Sequence, residues 1–311
     1  MIKFSVVIPL YNKENYISKT LNSVLSQSYE HYEVIIVDDG STDKSLEKIK
    51  KFKDDRLKIF KQENQGASAA RNKGIELAKH HWIAFLDADD IWYSNHLEAL
   101  KKSISSFKDA EVVSNAYEIQ LDKNFIKTPA FRKPLPKNII IIEDYFEYSL
   151  IDPLFWTSSM GVRKERLLEV GGFDVDISSG QDTDLICRLA LNSRLVYNPM
   201  VTFLHLKKTE NNLSKSNLLI DRLKVIEKLK PYECSHLSLK KYLDINRFSL
   251  AMQAQFINDY KTYKNLKKDI NLINLNIKQR FLIKCPRIIL ITFKRLQKSL
   301  LSLGIYKSAF K

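Results

Sequence analysis

Over residues 4–90 short apolar runs alternate with stretches of helical periodicity, and this alternation constrains the fold more than any other feature of the chain. Residues 4–10 (Phe-Ser-Val-Val-Ile-Pro-Leu) are an apolar run of the kind buried on both faces of a parallel sheet. Residues 14–27 follow as a predicted helix, with Ile17, Leu21, Val24 and Leu25 on one face and Asn12 as its cap. Strands at 33–37, 57–60 and 82–86 then interleave with helices at 43–52 and 67–79. The pattern predicts βαβ units, hence an α/β fold with a mostly parallel central sheet flanked by helices. Right-handed crossovers bring the strand C-termini to one edge, where open α/β sheets bind ligands.

That edge is acidic. One strand runs into Val37-Asp38-Asp39-Gly40-Ser41, another into Asp87-Ala88-Asp89-Asp90. Desolvating so many carboxylates is costly unless positive charge shares the site. The i, i+2 spacing of Asp87 and Asp89 suits a turn that presents one or both to a hard cation, Mg²⁺ or Mn²⁺. Helix capping by Asp89 or Asp90 is the plainer alternative. Two acidic turns meeting near Asn12 favour a metal or nucleotide site. Further on, strands are predicted at 110–117, 119–126, 158–162 and 196–204. Residues 128–138 read as a Pro/Lys-rich loop, 142–150 as a helix and Gly171-Gly172-Phe173-Asp174 as a tight turn. A helix begins at Gln181, with Asp182 and Asp184 in its first turn.

Charge divides the chain. Residues 1–220 hold 30 basic and 30 acidic side chains, whereas residues 221–311 hold 20 and 6, so the net +14 lies in the last third. A domain over 1–214 followed by a helical, basic region over 215–311 is expected. Cys187, Cys234 and Cys285 are odd in number and widely spaced, which suits a reducing compartment and neither a disulfide framework nor a metal motif. No signal-peptide pattern or membrane-spanning run is seen, so a cytoplasmic protein is expected, with any membrane contact peripheral.

Six segments, in order, resemble family 2 of the glycosyltransferases, with the GT-A nucleotide-diphospho-sugar transferase fold. They are Val6-Val7-Ile8-Pro9-Leu10-Tyr11-Asn12, Ile36-Val37-Asp38-Asp39-Gly40-Ser41-Thr42-Asp43, Asn64-Gln65-Gly66-Ala67-Ser68-Ala69-Ala70-Arg71-Asn72-Lys73-Gly74, Phe85-Leu86-Asp87-Ala88-Asp89-Asp90, Gly171-Gly172-Phe173-Asp174 and Gln181-Asp182. The resemblance covers about residues 4–190 and implies an inverting transferase using a nucleotide-sugar, usually a UDP-sugar. It implies that Asp39 hydrogen-bonds the base, that Pro9, Tyr11 and Asn12 line its pocket, and that Arg71 approaches the diphosphate. Asp87 would contact the ribose side and Asp89 would hold Mn²⁺ or Mg²⁺. Asp182 would be the base that deprotonates the acceptor hydroxyl. Relatives usually show Glu-Asp where this chain has Gln181-Asp182. Without the resemblance, helix-dipole stabilisation accounts for Asp182 and Asp184. One base and no carboxylate nucleophile imply a single displacement with inversion. His205 is a candidate third metal ligand, although a lone histidine is more often structural. Trp156 suits the floor of an acceptor site and core packing equally.

Residues 287–303 form a basic amphipathic pattern. Ile289, Phe293, Leu296, Leu300 and Leu303 share one face, Arg287, Lys294, Arg295 and Lys298 lie opposite, and Gly304 is a natural stop. An anionic membrane surface would suit this helix, placing the protein on the inner face of the cytoplasmic membrane near a saccharide or lipid-linked saccharide acceptor. Packing on the body or in a homo-oligomer is the alternative. Nucleic acid is not an expected partner, since the acidic crevice repels phosphates and no stacking platform appears. A Rossmann oxidoreductase is excluded by the missing G-x-G-x-x-G. A non-catalytic scaffold on the same fold stays open.

Overall fold

The computed structural model describes residues 1–122, 125–207, 209 and 218–302, with the backbone alone for residues 218 and 297–302. The chain forms two compact units. The first comprises residues 1–130, 134–145 and 153–216, the second residues 131–133, 146–152 and 217–311.

The first unit is built on one mixed sheet. Its opening strands are β1 (Phe4–Leu10), β2 (Tyr32–Asp39), β3 (Leu57–Gln62) and β4 (Trp82–Phe85), with helices α1 (Ile17–Leu25), α2 (Ser45–Ile49) and α3 (Ala67–Leu77) in the crossovers. Then come β5 (Ile91–Trp92), α4 (His96–Ser106), β6 (Val112–Asp122), β7 (Phe125–Lys127), β8 (Ile140–Ile142) and α5 (Tyr145–Tyr148), of which residues 146–148 belong to the second unit. β9 (Met160–Arg163), α6 (Lys164–Glu169), α7 (Gln181–Asn192) and β10 (Leu195–Leu206) complete it. The strand order is β3-β2-β1-β4-β9-β6-β10-β5, with β7 on β6 and β8 on β10. β3, β2, β1 and β4 are mutually parallel, as their alternation with helices predicts. β9 runs antiparallel to both β4 and β6, so the sheet is mixed beyond β4.

Register brings the acidic turns together. Leu10 pairs with Asp38 and Asp39 with Gln62, while Val7 pairs with Phe85 two residues before Asp87. Alternate β1 side chains face opposite layers. Phe4, Val6, Ile8 and Leu10 join Ile17, Leu21 and Val24 in a fully buried cluster, each large aliphatic chain contributing about 1.5–3 kcal/mol. Val7 faces α3, where Gly74 lets the backbones approach; a Cβ there would overlap Val7 Cγ1.

Three sequence expectations change. Asn12 does not cap α1, which begins at Ile17 without a side-chain cap. It adopts φ 48° and its side chain is taken by the 41–43 turn. The two strands expected at 110–126 are one long strand, β6, because β10 pairs along it from Val112 to Gln120, with β7 folding back beyond it. The helix expected at 142–150 shrinks to one turn, α5, because the β-branched run at 140–142 pairs with β10.

The second unit is helical: α8 (Leu218–Leu229), α9 (Leu237–Phe256), α10 (Tyr260–Asp269), α11 (Ile277–Leu282) and α12 (Arg287–Ser302). It also takes in residues 131–133 and 146–152, so the units are not consecutive in sequence; Phe146 packs on Tyr242 with ring centroids 5.5 Å apart. Buried Arg247 is neutralised by Asp244 at 3.1 Å and by Glu233, as a buried cation requires. α12 lies on the end of α9 through Arg287, whose guanidinium donates to Phe256 O, and Lys294, which sits 4.2 Å from the Phe256 ring. Leu290 is buried between them in sequence, whereas Ile289, Phe293 and Leu296 stay exposed. Leu300, Lys298, Leu303 and Gly304 of the predicted stripe lie outside the described side chains. Among the described residues no helix is long and apolar enough to cross a membrane.

Candidate active site

The site lies in the first unit, at the carboxyl ends of β1, β2 and β4. Asp39 ends β2 with its carboxylate buried. Oδ1 accepts from Gln62 Nε2 at 2.8 Å and Gln65 N at 2.9 Å, and Oδ2 accepts from Gly66 N at 2.8 Å. These bonds, worth about 1.5–3 kcal/mol each where the acceptor is charged, fix the loop that opens α3. Gly66 has φ 89° there, a left-handed backbone that favours glycine. Asn12 staples the end of β1 to the second turn. Its Oδ1 accepts from Thr42 N at 2.8 Å, and its backbone N–H donates to Ser41 Oγ at 3.1 Å. Beside it Tyr11 is exposed.

The loop after β4 carries three carboxylates with three different partners. Asp87 accepts from Arg71 Nη2 at 2.6 Å. Asp89 Oδ2 accepts from Lys13 Nζ at 2.5 Å and Thr209 Oγ1 at 2.6 Å. Asp90 is buried, takes a hydrogen bond from Ser158 Oγ at 2.7 Å, and lies 2.9 Å from His205 Nδ1. Burial lifts the Asp90 carboxyl to about 6, against the opposing pull of His205. For His205, burial lowers and Asp90 raises, and the net direction is upward. With Nδ1 on Asp90, the Nε2 of His205 is the nitrogen left to act as a ligand. The imidazole lies 4.4 Å from the Trp156 ring, and Trp156 also packs 5.6 Å from Tyr117, so the tryptophan is at once site wall and core.

Arg71 is the hub. It is 3% exposed, projects from α3 over the Phe173 ring at 5.0 Å, and reaches Asp182 Oδ1 with Nη1 at 3.5 Å. Burial opposes its charge, but Asp87 and Asp182 outweigh that and raise its pKa. Nη1 meets Asp182 as an ion pair without hydrogen-bond geometry, and Nε makes no hydrogen bond. Asp182, in the first turn of α7, is shifted upward, chiefly by burial and secondarily by Asp87, with Arg71 and a Thr157 hydrogen bond pulling down. A carboxylate shifted in this direction is a better proton acceptor than a free aspartate. The buried side-chain amide oxygen of Gln181, the residue before Asp182, has no hydrogen-bond partner.

Among the described residues no three His, Cys, Asp or Glu side chains form a ready metal cage. The donor types still fit a divalent cation. Asp89 offers a hard oxygen, His205 an imidazole oriented by a carboxylate, and cations that work with diphosphates take one or two carboxylates plus phosphate oxygens. The site thus gathers Asp39, Arg71, Asp87, Asp89, Asp182 and His205, with the β1 end at Pro9, Tyr11 and Asn12 beside the Ser41 turn. Sequence reading missed Lys13, Gln62 and Ser158 as partners of these carboxylates, and gave Phe173 only as part of a tight-turn motif and not as a ring beneath Arg71.

These paired carboxylates and cations lie where open α/β sheets bind their ligands, beyond the carboxyl ends of the strands. The model of the family described as Glycosyl transferase family 2 matches residues 5–169, more than half of the chain. The chain belongs to glycosyl transferase family 2. Glycosyltransferase GlyA of Streptococcus pneumoniae is 29% identical over 290 residues, covering 88% of this chain and 41% of that protein. The Escherichia coli UDP-Glc:alpha-D-GlcNAc-diphosphoundecaprenol beta-1,3-glucosyltransferase WfgD is 40% identical over 118 residues, 36% of this chain and 47% of its own length. The chain therefore spans less than half the length of these curated relatives. S. aureus TarS 1-349, crystallised in complex with UDP-GlcNAc, shares the fold with a TM-score of 0.73 at 19% identity, over 99% of this chain and 93% of that one.

Proposed function

We propose that this chain transfers a sugar from a UDP-sugar to a hydroxyl of a saccharide or lipid-linked saccharide, with inversion at the anomeric carbon, in surface polysaccharide biosynthesis. The observation that carries the reading is Arg71, a buried guanidinium ion-paired with Asp87 and Asp182 beyond the strand ends. A nucleoside diphosphate leaving group gains charge in the transition state, and a fixed buried cation stabilises it most where that charge develops. The UDP-GlcNAc and UDP complexes of TarS support the donor class. The diphosphoundecaprenol in the name of WfgD and the teichuronic acid biosynthesis in that of Bacillus subtilis TuaG support the acceptor class.

In this reading Asp39 holds the base through its remaining acceptor capacity, and the β1 end at Pro9, Tyr11 and Asn12 lines the pocket. Asp87 positions Arg71 and reaches the ribose side. Asp182 takes the proton of the attacking hydroxyl. Asp89 and His205 would hold Mn²⁺ or Mg²⁺, which supplies charge neutralisation at the diphosphate. Asp182→Asn tests the base. UDP affinity should stay within a few-fold of wild type while transfer falls by about 10²–10⁴. Full transfer activity in that variant removes Asp182 from the role.

The basic second unit fits an anionic membrane surface. Each cation near such a surface adds about 1 kcal/mol, and Ile289, Phe293 and Leu296 are exposed beside Arg295. The apolar face continues onto α11, because the Phe281 and Phe293 rings lie 6.5 Å apart and both are exposed.

A further inference from the structure

We infer that Phe173 is a positioning residue for Arg71, holding the guanidinium in place without adding negative charge beside the diphosphate. The inference deepens the proposed function and rests on its assignment of Arg71 to the diphosphate. Arg71 Cζ lies over the Phe173 ring, 5.0 Å from its centroid, and both residues are buried. The face of an aromatic ring is electron-rich, so it attracts a cation while carrying no net charge. Asp87 and Asp182 already supply two carboxylates to this cation. A third would hold it too, but would repel an incoming diphosphate. A ring holds the cation and leaves it able to take an anion.

The ring is itself fixed from three directions. Asn72, the residue after Arg71 on α3, clamps the Phe173 backbone twice: Nδ2 donates to Phe173 O at 2.8 Å, and Oδ1 accepts from Phe173 N at 2.8 Å. Consecutive residues of one helix thus hold the backbone of Phe173 and meet its ring. Gly172 permits this close approach, since it has φ 64° and a Cβ there would come within 2.7 Å of Asn72 Oδ1. Arg188 on α7, the helix that carries Asp182, donates from Nη2 to Gly172 O at 2.8 Å. Phe85 on β4, two residues before Asp87, packs edge to face with Phe173, their centroids 5.3 Å apart and their planes at 86°. The turn is therefore tied to the elements that carry Arg71, Asp182 and Asp87, and the ring passes that fixed frame to the guanidinium.

The test is a double-mutant cycle read by calorimetric titration of the full chain with UDP and with uridine, Mn²⁺ present throughout. Phe173→Met keeps apolar bulk and removes the ring face. It should weaken UDP binding about tenfold and leave uridine binding within about twofold of wild type. Arg71→Met should weaken UDP binding more, and Phe173→Met added to it should cost nothing further. Asn72→Ala frees the backbone of an intact ring and should reproduce the pattern, a loss for UDP only and only while Arg71 is present. It carries the cycle if Phe173→Met does not fold. Equal losses for UDP and uridine, the same loss with and without Arg71, or no loss at all overturn the positioning role. An Arg71→Met variant that binds UDP as wild type does overturns the assignment of Arg71 to the diphosphate, and the inference with it.

Discussion

Asp87, Asp89 and Asp90 are neighbours in one turn, yet each has a different counter-group: Arg71, Lys13, and the pair Ser158 and His205. The carboxylates were legible in the sequence because an apolar run ending in acids is conspicuous. Their partners were not. Lys13 reaches Asp89 from the end of β1, and Ser158 reaches Asp90 from 68 residues away. Such pairings depend on sheet register, which no local pattern encodes. Gln181 marks a different limit, since its unpartnered carbonyl becomes visible only when the start of α7 is seen buried. At this scale one group reports on the core. His96 is fully buried, stacked on Trp92 at 4.1 Å and bonded to Thr202 Oγ1. Burial lowers its pKa from 6.5 to about 3. Below pH 6.5 the unfolded chain takes up a proton that the folded one refuses until about pH 3, so the stability present above 6.5 is lost as pH falls through that window. The slope from this group approaches about 1.4 kcal/mol per pH unit. Urea midpoints measured from pH 7 to 4 should fall for wild type and fall less steeply for His96→Phe. Parallel slopes would show that His96 is not the source.

Elements were legible where periodicity and burial agree. β1 to β4 and their helices follow the predicted order, because buried parallel strands read as continuous apolar runs. The element from 140 to 148 was misread, since a β-branched run beside a short amphipathic stretch fits a helix until β10 supplies a strand partner. α12 was legible as a basic amphipathic helix, but its orientation was not. Arg287 and Lys294, assigned to the outer polar face, hold α12 to the end of α9 and leave Ile289 and Phe293 exposed. A cation at the end of α9 also satisfies carbonyls that a helix C-terminus leaves open. Freed in this way, the apolar stripe should bind lipid. The full chain should co-sediment with phosphatidylglycerol vesicles and not with phosphatidylcholine vesicles, and Phe281→Asp/Phe293→Asp should weaken this by tenfold or more. Equal binding of the double variant and wild type would assign the stripe to another contact.

For the whole molecule, a charge-balanced first unit carries the crevice and the second unit carries the net positive charge. That division was visible in composition. The recruitment of residues 131–133 and 146–152 into the second unit was not, because it depends on packing such as Phe146 against Tyr242. Family membership sets the fold beneath the site, and the proposed diphosphate binding rests on Arg71 with its two carboxylates. The most direct test is calorimetric titration of the full chain with UDP, GDP and dTDP, each with and without Mn²⁺. The account predicts tight binding of UDP above the other two, strengthened by Mn²⁺. Absence of binding by any nucleoside diphosphate in either condition would contradict it.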